Sequence, residues 1–169
     1  KREPSTTRPT PRPGTRSQHR NSCSWMTPIS VSPSKTRTLR IEPAVVSSRA
    51  PRPLGPYPHA RWVGNLLFLS GIGPRHRETE QIPEGIEAQT RACIENVKAI
   101  LEDAGSSLEK VVDVTVFLTN IDRDFAAFNR VYAEYFETLE IRPTRTTVGV
   151  VALPVPISVE LKIIAESGT

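Results

Sequence analysis

The chain has 169 residues, which suits one domain of ordinary size. Its formal charge is +4, but residues 1–50 carry ten basic and two acidic side chains, whereas the rest carries twelve basic and sixteen acidic ones. The positive net charge of the whole chain therefore says nothing about the binding partners of residues 51–169, in which acidic side chains outnumber basic ones. Two distant cysteines, Cys23 and Cys93, and three scattered histidines exclude a disulfide framework and a metal site, and no run of about 18 apolar residues predicts a membrane span.

The first part of the chain has the composition of a tail. Residues 1–56 hold ten of the sixteen prolines and few large apolar side chains, so they cannot bury enough surface to offset the entropy of ordering. We predict a disordered tail over residues 1–50, dispensable for folding, and one domain over residues 51–169.

Three interpretations of this tail are open. An Arg- and Ser-rich segment that is poor in acidic residues is typical of a targeting peptide. A basic arm that contacts anionic surfaces has a similar composition. We favour the third, that the segment before Met26 is not native coding sequence, because Met26 is the only methionine and the composition shifts after it.

The sequence after the tail predicts a short edge strand and a hairpin. The edge strand lies at residues 41–46, and residues 55–59 (Gly-Pro-Tyr-Pro-His) follow as a rigid loop, because each proline fixes the backbone beside the tyrosine. Residues 61–63 and 66–71 form the hairpin around a Gly-Asn turn at residues 64–65. We expect its second strand to be buried on both faces.

Two amphipathic helices flank a central strand. Apolar residues at helical spacing predict the first helix over residues 86–104, and the apolar run at residues 110–119 predicts the strand. Asp122 or Asp124 is expected to cap the second helix, which continues to Phe136. Its predicted buried stripe comprises Phe125, Phe128, Val131, Tyr132 and Tyr135.

The C-terminal region predicts two more strands. Residues 143–151 and 157–165 are rich in β-branched side chains, and a Pro-rich break between them lets the strands pair or lie side by side. The order β-β-α-β-α-β-β indicates an α+β fold with both helices on one face of a mixed sheet. The other face also carries apolar residues, so we infer an oligomer.

These last two strands each carry one charge that needs an explanation. Arg145 opens the first strand, and Glu160 lies among apolar neighbours in the second, where burial without a partner is costly. A cation and a carboxylate from neighbouring strands of one sheet would hold an anionic substrate and a water. The alternative is that Glu160 and Lys162 simply alternate outward on a half-exposed strand.

Other catalytic patterns are absent from the sequence. The glycines at residues 71 and 73 lead into a polar loop and not into a helix, which excludes a dinucleotide-binding turn. No HExxH or Gly-x-Ser-x-Gly motif occurs. The remaining candidates are polar residues beside apolar or rigid neighbours: Tyr57, Ser70, Asn129, Arg145 and Glu160.

Several segments, in the same order along the chain, carry a specific resemblance to a known family. They are residues 55–57 (GPY), 63–71 (VGNLLFLSG), 86–90 (IEAQT), 95–101 (ENVKAIL), 114–118 (VTVFL), 129–136 (NRVYAEYF), 143–145 (PTR) and Glu160. Over about residues 53–165 the chain resembles the RidA (YjgF) family of imine deaminases. The resemblance implies a chorismate mutase-like fold and a homotrimer with sites in the clefts between subunits. It also implies hydrolysis of enamine or imine intermediates, released by pyridoxal-phosphate enzymes, to a 2-keto acid and ammonia, without cofactor or metal.

The resemblance also assigns residues to roles. Arg145 would bind the substrate carboxylate, for which a planar bidentate donor is suited, and Glu160 would position or deprotonate the attacking water. Tyr57, Ser70 and Asn129 would line the pocket. Taken alone, these three would be a packed loop aromatic, a strand-end hydroxyl bonded to backbone and a surface amide.

Departures from the family pattern concern the substrate. Thr147 stands where many relatives have a cysteine, which argues against a reactive thiol in the pocket. Arg75 and His59 would add positive charge near the cleft, and residues 146–150 resemble members associated with 2-aminomuconate deamination. A second basic group would suit a dicarboxylate, so 2-aminomuconate is an alternative to monocarboxylate imines.

Two other classes of function stay open. Some relatives are described as ribonucleases or translation inhibitors, but an acidic body whose only tryptophan is Trp62 argues against a nucleic-acid groove. Others are ligand binders or chaperones without enzymatic activity, which commonly lack the arginine that is present here as Arg145. We expect a cytoplasmic enzyme, with organellar targeting by the tail as the less favoured alternative.

Overall fold

A computed structural model describes residues 44–168 of the protein. The part of the predicted tail before Ala44, including Met26, and the start of the predicted edge strand lie outside the described residues. The elements, in chain order, are the strands and helices β1 Ala44–Val45, β2 Ala60–Val63, β3 Leu66–Leu69, α1 Ile86–Asp103, β4 Val111–Leu118, α2 Ile121–Phe136, β5 Thr144–Gly149 and β6 Val159–Glu166. A one-turn 3₁₀ helix, Leu108–Lys110, precedes β4.

The strands form one six-stranded mixed sheet in the order β1-β2-β3-β6-β4-β5. β4 and β5 are parallel, and every other pair is antiparallel. The prediction that the two C-terminal strands are neighbours is wrong, because β4 lies between β5 and β6. The crossover through α2 brings β5 to the outer side of β4, while the loop after β5 returns the chain to the sheet centre.

Both helices pack on one face of the sheet, as predicted. Alternate residues of β4 and β6 point toward them and are buried: Val114, Val116, Leu118, Val159, Leu161 and Ile163. On α1 the buried partners recur at helical spacing, namely Thr90, Ile94, Val97 and Leu101. Each such apolar side chain contributes about 1.5–3 kcal/mol by leaving water, so this layer is the core of the domain.

The start of α2 differs from the prediction. Asn120 is the N-cap, and its side-chain oxygen accepts a hydrogen bond from the backbone N–H of Arg123 at 3.1 Å. Neither predicted aspartate caps the helix, although both lie in its first turn, where negative charge is favourable. Phe125 was predicted to be part of the buried stripe but is exposed, whereas Phe136, which was not predicted in the stripe, is buried.

Residues 44–50 belong to the domain, so the predicted boundary at residue 50 lies too late in the chain. Ala44–Val45 pairs with β2, and Ser47 and Ala50 are buried. The Ser47 hydroxyl donates to Asp103 Oδ2 at 2.6 Å, and Arg49 Nε donates to Asp103 Oδ1 at 2.7 Å. These contacts fasten the segment to the end of α1.

The face of the sheet that the helices leave open is mixed in character. Three half-buried apolar residues lie on it, namely Phe68, Phe117 and Ile164. Threonines of β5 and charged residues of β6 lie on the same face. β3 alternates between buried and half-buried residues, so one of its faces is buried and the other is only half-buried, whereas both were expected to be buried. Within the described residues, no helix is long and apolar enough to cross a membrane.

Candidate active site

The first of two cavities that hold candidate residues surrounds Glu160. Three loops form its walls, with residues drawn from the ranges 50–59, 70–75 and 154–157. Glu160 enters from β6 at its base. Four further residues predicted from the sequence line this cavity, namely Tyr57, Ser70, His59 and Arg75.

Glu160 is a half-buried carboxylate that has no hydrogen bond or ion pair with any residue between 44 and 168. Desolvation raises its pKa above the ordinary value for a glutamate. Gly71 packs directly against the carboxylate, and any side chain at that position would collide with it. The structure thus leaves room for an unpaired carboxylate, and burial gives it the character of a stronger base.

Tyr57 and Ser70 lie at the wall of this cavity in different ways. The Tyr57 ring is 45% exposed and lies against Gly55, where a Cβ would come within 2.8 Å of the ring. The Ser70 hydroxyl donates to the carbonyl of Pro58 at 2.7 Å. Ser70 therefore fixes the tyrosine loop to the end of β3, while the Tyr57 hydroxyl remains available to a ligand.

His59 does not have the predicted role of a positive charge near the cleft. It is buried, and its Nδ1 accepts the backbone N–H of Ser47 at 2.9 Å, so this nitrogen carries no proton. Nε2 then donates to the carbonyl of Pro51 at 2.8 Å. The ring is a neutral connector that holds residues 47–51 beside the cavity.

Arg75 lies at the cavity but already has partners. Its guanidinium pairs with Glu80 and donates to the carbonyl of Arg52 at 2.5 Å. Asn96 on α1 donates to the carbonyls of Gly73 and Arg75, both at 3.0 Å, and so fixes the backbone of this loop. Arg75 thus serves to brace the wall, and Glu80 offsets its charge.

The second cavity surrounds Arg145 and is built from α2 and β5. Its lining includes Asn129, Tyr132 and Arg145, and its volume is about 320 Å³. The Arg145 guanidinium carbon lies 4.5 Å from the centre of the Tyr132 ring and 5.8 Å from that of Phe128. In the described part of the chain it has no carboxylate partner and no hydrogen bond, so its N–H donors are free for an anion.

Asn129 is exposed on α2 and lines this second cavity. Two aromatic rings lie beside Arg145, those of Phe128 and Tyr132. They were not predicted as part of the site, because their spacing in the sequence indicated only the buried stripe of α2. The available signal was the position of Tyr132 three residues after Asn129, on the same side of the helix.

The side chains of Arg145 and Glu160 lie on opposite faces of the sheet. Arg145 pairs with Val114, whose side chain points toward the helices, whereas Glu160 pairs with Phe117 on the open face. Directly paired residues share a face, so one chain cannot bring Arg145 and Glu160 together. They are therefore not an ion pair within the chain, and a site that uses both needs two copies.

Two further residues bear on the chemistry. Thr147 shares the face of Arg145, and its buried hydroxyl has no partner among residues 44–168. The Cys93 thiol is buried, donates to the carbonyl of Val159 at 3.6 Å, and has a pKa raised by burial, so it is not a ready nucleophile. The described residues contain no group of three or more His, Cys, Asp or Glu arranged to bind a metal.

Comparison with known proteins agrees with this architecture. A family model described as "Endoribonuclease L-PSP" matches residues 47–167. A "RutC family protein" of Pyrococcus abyssi is 47% identical over 122 residues, which are 72% of this chain and 94% of that protein. A protein of Escherichia coli K12 described as "Putative reactive intermediate deaminase TdcF" is 38% identical over 122 residues, with the same coverage.

A solved structure extends the likeness to three dimensions. The crystal structure of E. coli TdcF with bound serine has a TM-score of 0.70 and 36% identity, and covers 74% of this chain and 98% of that one. The matched range and the identity to several relatives agree with the resemblance drawn from the sequence. The chain belongs to the Ribonuc_L-PSP (YjgF/RidA) family.

Proposed function

We propose that the protein is a cofactor-independent deaminase that hydrolyses 2-imino or enamino acids to 2-keto acids and ammonia. One observation carries this proposal: Arg145 and Glu160 are half-buried charges of opposite sign, and neither has an ionic partner within residues 44–168. Unpaired charges at such depth are costly, so they indicate a site for a ligand. The name of the TdcF relative supports the same reaction class.

In this proposal Arg145 binds the substrate carboxylate and Glu160 acts on water. The two parallel N–H donors of a guanidinium match the two oxygens of a carboxylate, which orients the imine carbon. Glu160 takes a proton from water as the water oxygen bonds to that carbon, and returns it to the imine nitrogen as the C=N π bond opens, which gives a carbinolamine. A second proton then moves from the carbinolamine hydroxyl through Glu160 to the nitrogen. The C–N bond breaks as the C=O bond forms, which releases ammonia and the keto acid.

The environment of Glu160 suits a general base. Burial raises its pKa toward neutrality, and a base is most effective when its pKa lies near the working pH. A Cβ at Gly71 would overlap the Glu160 carboxylate, so the glycine leaves the room that this carboxylate occupies. The Tyr57 hydroxyl lies at the same cavity and is available to the carbinolamine or to the product carbonyl.

We propose that three copies form a ring with three shared sites. Arg145 and Glu160 occupy opposite faces in one chain, so a site with both requires the Arg145 cavity of one copy to meet the Glu160 cavity of the next. Repeating such a head-to-tail contact closes a ring. The half-buried Phe68, Phe117 and Ile164 supply apolar surface for the contact. A stable monomer at micromolar concentration, seen by light scattering, would contradict this assembly.

The decisive assay generates 2-iminobutanoate or 2-iminopropanoate in place with an amino-acid oxidase or dehydratase. We expect the protein to accelerate the release of ammonia, and Glu160→Gln to abolish the acceleration. Full acceleration by that variant would overturn the assignment, and absence of acceleration by the wild type would overturn the reaction.

Mixed assemblies test the sharing of the site. Arg145→Ala and Glu160→Gln are inactive separately in this scheme, but a mixed ring places intact Arg145 of one chain next to intact Glu160 of another. Equal amounts, unfolded and refolded together, should recover about one quarter of the wild-type activity, since random assembly makes that fraction of interfaces intact. No recovery, despite mixed rings in native mass spectrometry, would show that the site lies within one chain.

A second candidate substrate is a dicarboxylate such as 2-aminomuconate, and one observation favours it. Arg52 lines the Glu160 cavity, is exposed, and its guanidinium has no ion pair in the described part of the chain. It is a more suitable second cation than Arg75, which pairs with Glu80, or the neutral His59.

The two candidates are separated by comparing kcat/KM for 2-iminobutanoate and 2-aminomuconate in the wild type and in Arg52→Ala. If a distal carboxylate binds Arg52, the variant should lose about fivefold in kcat/KM for the dicarboxylate alone, since an exposed charge contact is worth about 1 kcal/mol. Equal effects on both substrates would exclude this role.

A further inference from the structure

The hydroxyl group of Tyr132 is a buried polar atom without a partner. The residue is only 9% exposed, and its oxygen makes no hydrogen bond with any described residue. A buried tyrosine hydroxyl normally has a partner, because an unsatisfied one costs about 1–3 kcal/mol. An unpartnered hydroxyl on a residue that lines the Arg145 cavity indicates a group that arrives from outside.

Packing holds the ring of Tyr132 in place without help from its hydroxyl. The ring stacks on Phe136 with centres 4.3 Å apart at 17°, and lies 5.7 Å from the ring of Phe128. The guanidinium of Arg145 covers one face at 4.5 Å. Such a ring supplies both an apolar support for the cation and a hydroxyl at a fixed position.

The polar groups around this cavity include several hydrogen-bond donors. Arg145 offers guanidinium N–H groups, and Asn129 offers an amide. Burial raises the pKa of Tyr132 to about 12, with Arg145 lowering it and Asp113 raising it further, so the hydroxyl stays protonated near neutral pH. Donors gathered around an unpaired cation fit an anion with several acceptor oxygens, and a planar carboxylate is such an anion.

We propose that the Tyr132 hydroxyl donates a hydrogen bond to the same ligand carboxylate that Arg145 binds. The inference deepens the proposed function and rests on it for the identity of the ligand, a 2-imino or 2-keto acid. The aromatic ring orients Arg145, and the hydroxyl adds a neutral donor that makes the site specific for oxyanions.

This role predicts an effect on binding and not on the chemical step. The carboxylate does not react, so its hydrogen bond to Tyr132 is equally strong in the substrate and in the transition state. Loss of such a bond raises KM and leaves kcat unchanged.

The test compares Tyr132→Phe with Tyr135→Phe in the assembled protein. Tyr135 lies on the same helix and donates to Glu95 at 2.9 Å, outside the cavity, so it is a matched control. We expect Tyr132→Phe to raise KM for 2-iminobutanoate about tenfold, equivalent to about 1.4 kcal/mol, with kcat within about twofold. The control should leave both constants unchanged.

A direct binding measurement separates this inference from the proposed reaction. Calorimetry with 2-oxobutanoate, the keto acid product, should give a Kd that rises about tenfold in Tyr132→Phe and not in Tyr135→Phe. If the wild type hydrolyses no imine but shows this pattern, the proposed reaction fails and the role of Tyr132 stands. If imines are hydrolysed and both KM and Kd are unchanged in Tyr132→Phe, only the role of Tyr132 fails.

Thermal melting completes the test, because the variant removes an unpartnered hydroxyl and should melt at the same temperature as the wild type or higher. A lower melting temperature or loss of the oligomer would show that another copy satisfies the hydroxyl, which would overturn the proposal. Absence of 2-oxobutanoate binding to the wild type would overturn it as well.

Discussion

The Arg145 cavity and the Glu160 cavity are built from different kinds of structure. The first is formed by one helix and one strand that follow each other in the chain, α2 and β5. The second is formed mainly by three loops, and Glu160 of β6 and Ile100 of α1 complete its lining. Regular elements fix the position of Arg145, the proposed carboxylate-binding group, whereas loops, which vary more readily in sequence, surround Glu160.

The difference between the two cavities also bears on the two half-buried charges, Arg145 and Glu160, that have no ionic partner within residues 44–168. Each cavity has one half-buried charge of this kind, Arg145 or Glu160, and these two side chains lie on opposite faces of the sheet. A residue kept for stability would be expected to find its partner within the chain, so the cost of both charges is accounted for only by a ligand or a second copy.

The largest expected effect concerns the Glu160 cavity. Glu160→Gln keeps the shape of the side chain but cannot accept a proton, so kcat for imine hydrolysis should fall by roughly 10²–10⁴ with little change in KM. In the wild type, activity should rise with pH as the carboxylate ionises, through a pKa above that of an ordinary glutamate. A pH–rate profile without this acidic limb would contradict the role of general base.

Stability gives an independent control for the same variant. The raised pKa of Glu160 means that its protonated form stabilises the fold, fully below the unfolded-state pKa of about 4.3 and less as pH rises through the folded value. Glu160→Gln should therefore melt at or above the wild-type temperature at pH 7. A loss of about 3–5 kcal/mol would instead indicate an ion pair with an arginine of another copy.

The next effect concerns the Arg145 cavity. Arg145→Lys retains the charge but loses the two parallel donors and the stacking on Tyr132, so KM should rise about 10- to 100-fold, or about 1.4–2.7 kcal/mol. The oligomer should persist, as size-exclusion chromatography can verify. If KM changed little and kcat fell, Arg145 would have a role in the chemical step, and the division between the two cavities would fail.

A moderate effect is expected from the segment that supports the Glu160 cavity. A chain that starts at residue 48 lacks β1 and the hydrogen bonds of Ser47 to His59 and Asp103, which leaves Nδ1 of the buried His59 without a donor. The free energy of unfolding should fall by about 1–3 kcal/mol relative to a chain that starts at Met26. Denaturant melts of both forms measure this difference, and equal stability would restore the predicted boundary at residue 50.

The smallest effect is expected at Arg75. Its guanidinium pairs with Glu80 and supports the backbone at Arg52, so Arg75→Ala should lower stability by less than about 1 kcal/mol and leave KM for 2-iminobutanoate unchanged. A selective loss of activity toward 2-aminomuconate would show that Arg75 exchanges Glu80 for substrate and that the second cation was correctly predicted from the sequence.

The fold was largely predictable because its signals are local. Helical spacing on α1 and α2, the Gly-Asn turn and the β-branched terminal strands all depend on near neighbours. The strand order was not predictable in this way, because nothing in the sequences of β5 and β6 indicates that β4 lies between them. The cap at Asn120 was missed because aspartates two and four residues later are equally good cap types.

The sequence indicated which side chains line the two cavities, but it did not indicate which hydrogen-bond and ion-pair partners these side chains have. Arg145 and Glu160 stand out in the sequence as charges among apolar neighbours, and both line cavities. His59 looked like a cation because a sequence does not show that Ser47, twelve residues earlier, donates to its ring. Arg75 likewise gave no sign that Glu80 would pair with it.

The Arg145 cavity is built from a helix and a strand and the Glu160 cavity mainly from loops, and this difference has a consequence for engineering. Libraries aimed at new substrates can vary residues 52–54 and 154–155, which line the Glu160 cavity and stand apart from the helix-sheet core. Such changes leave α2, β5 and Gly71 as they are, so Arg145 and Glu160 keep their geometry. A pocket of this design can acquire new selectivity by small steps, and each intermediate should remain folded and active.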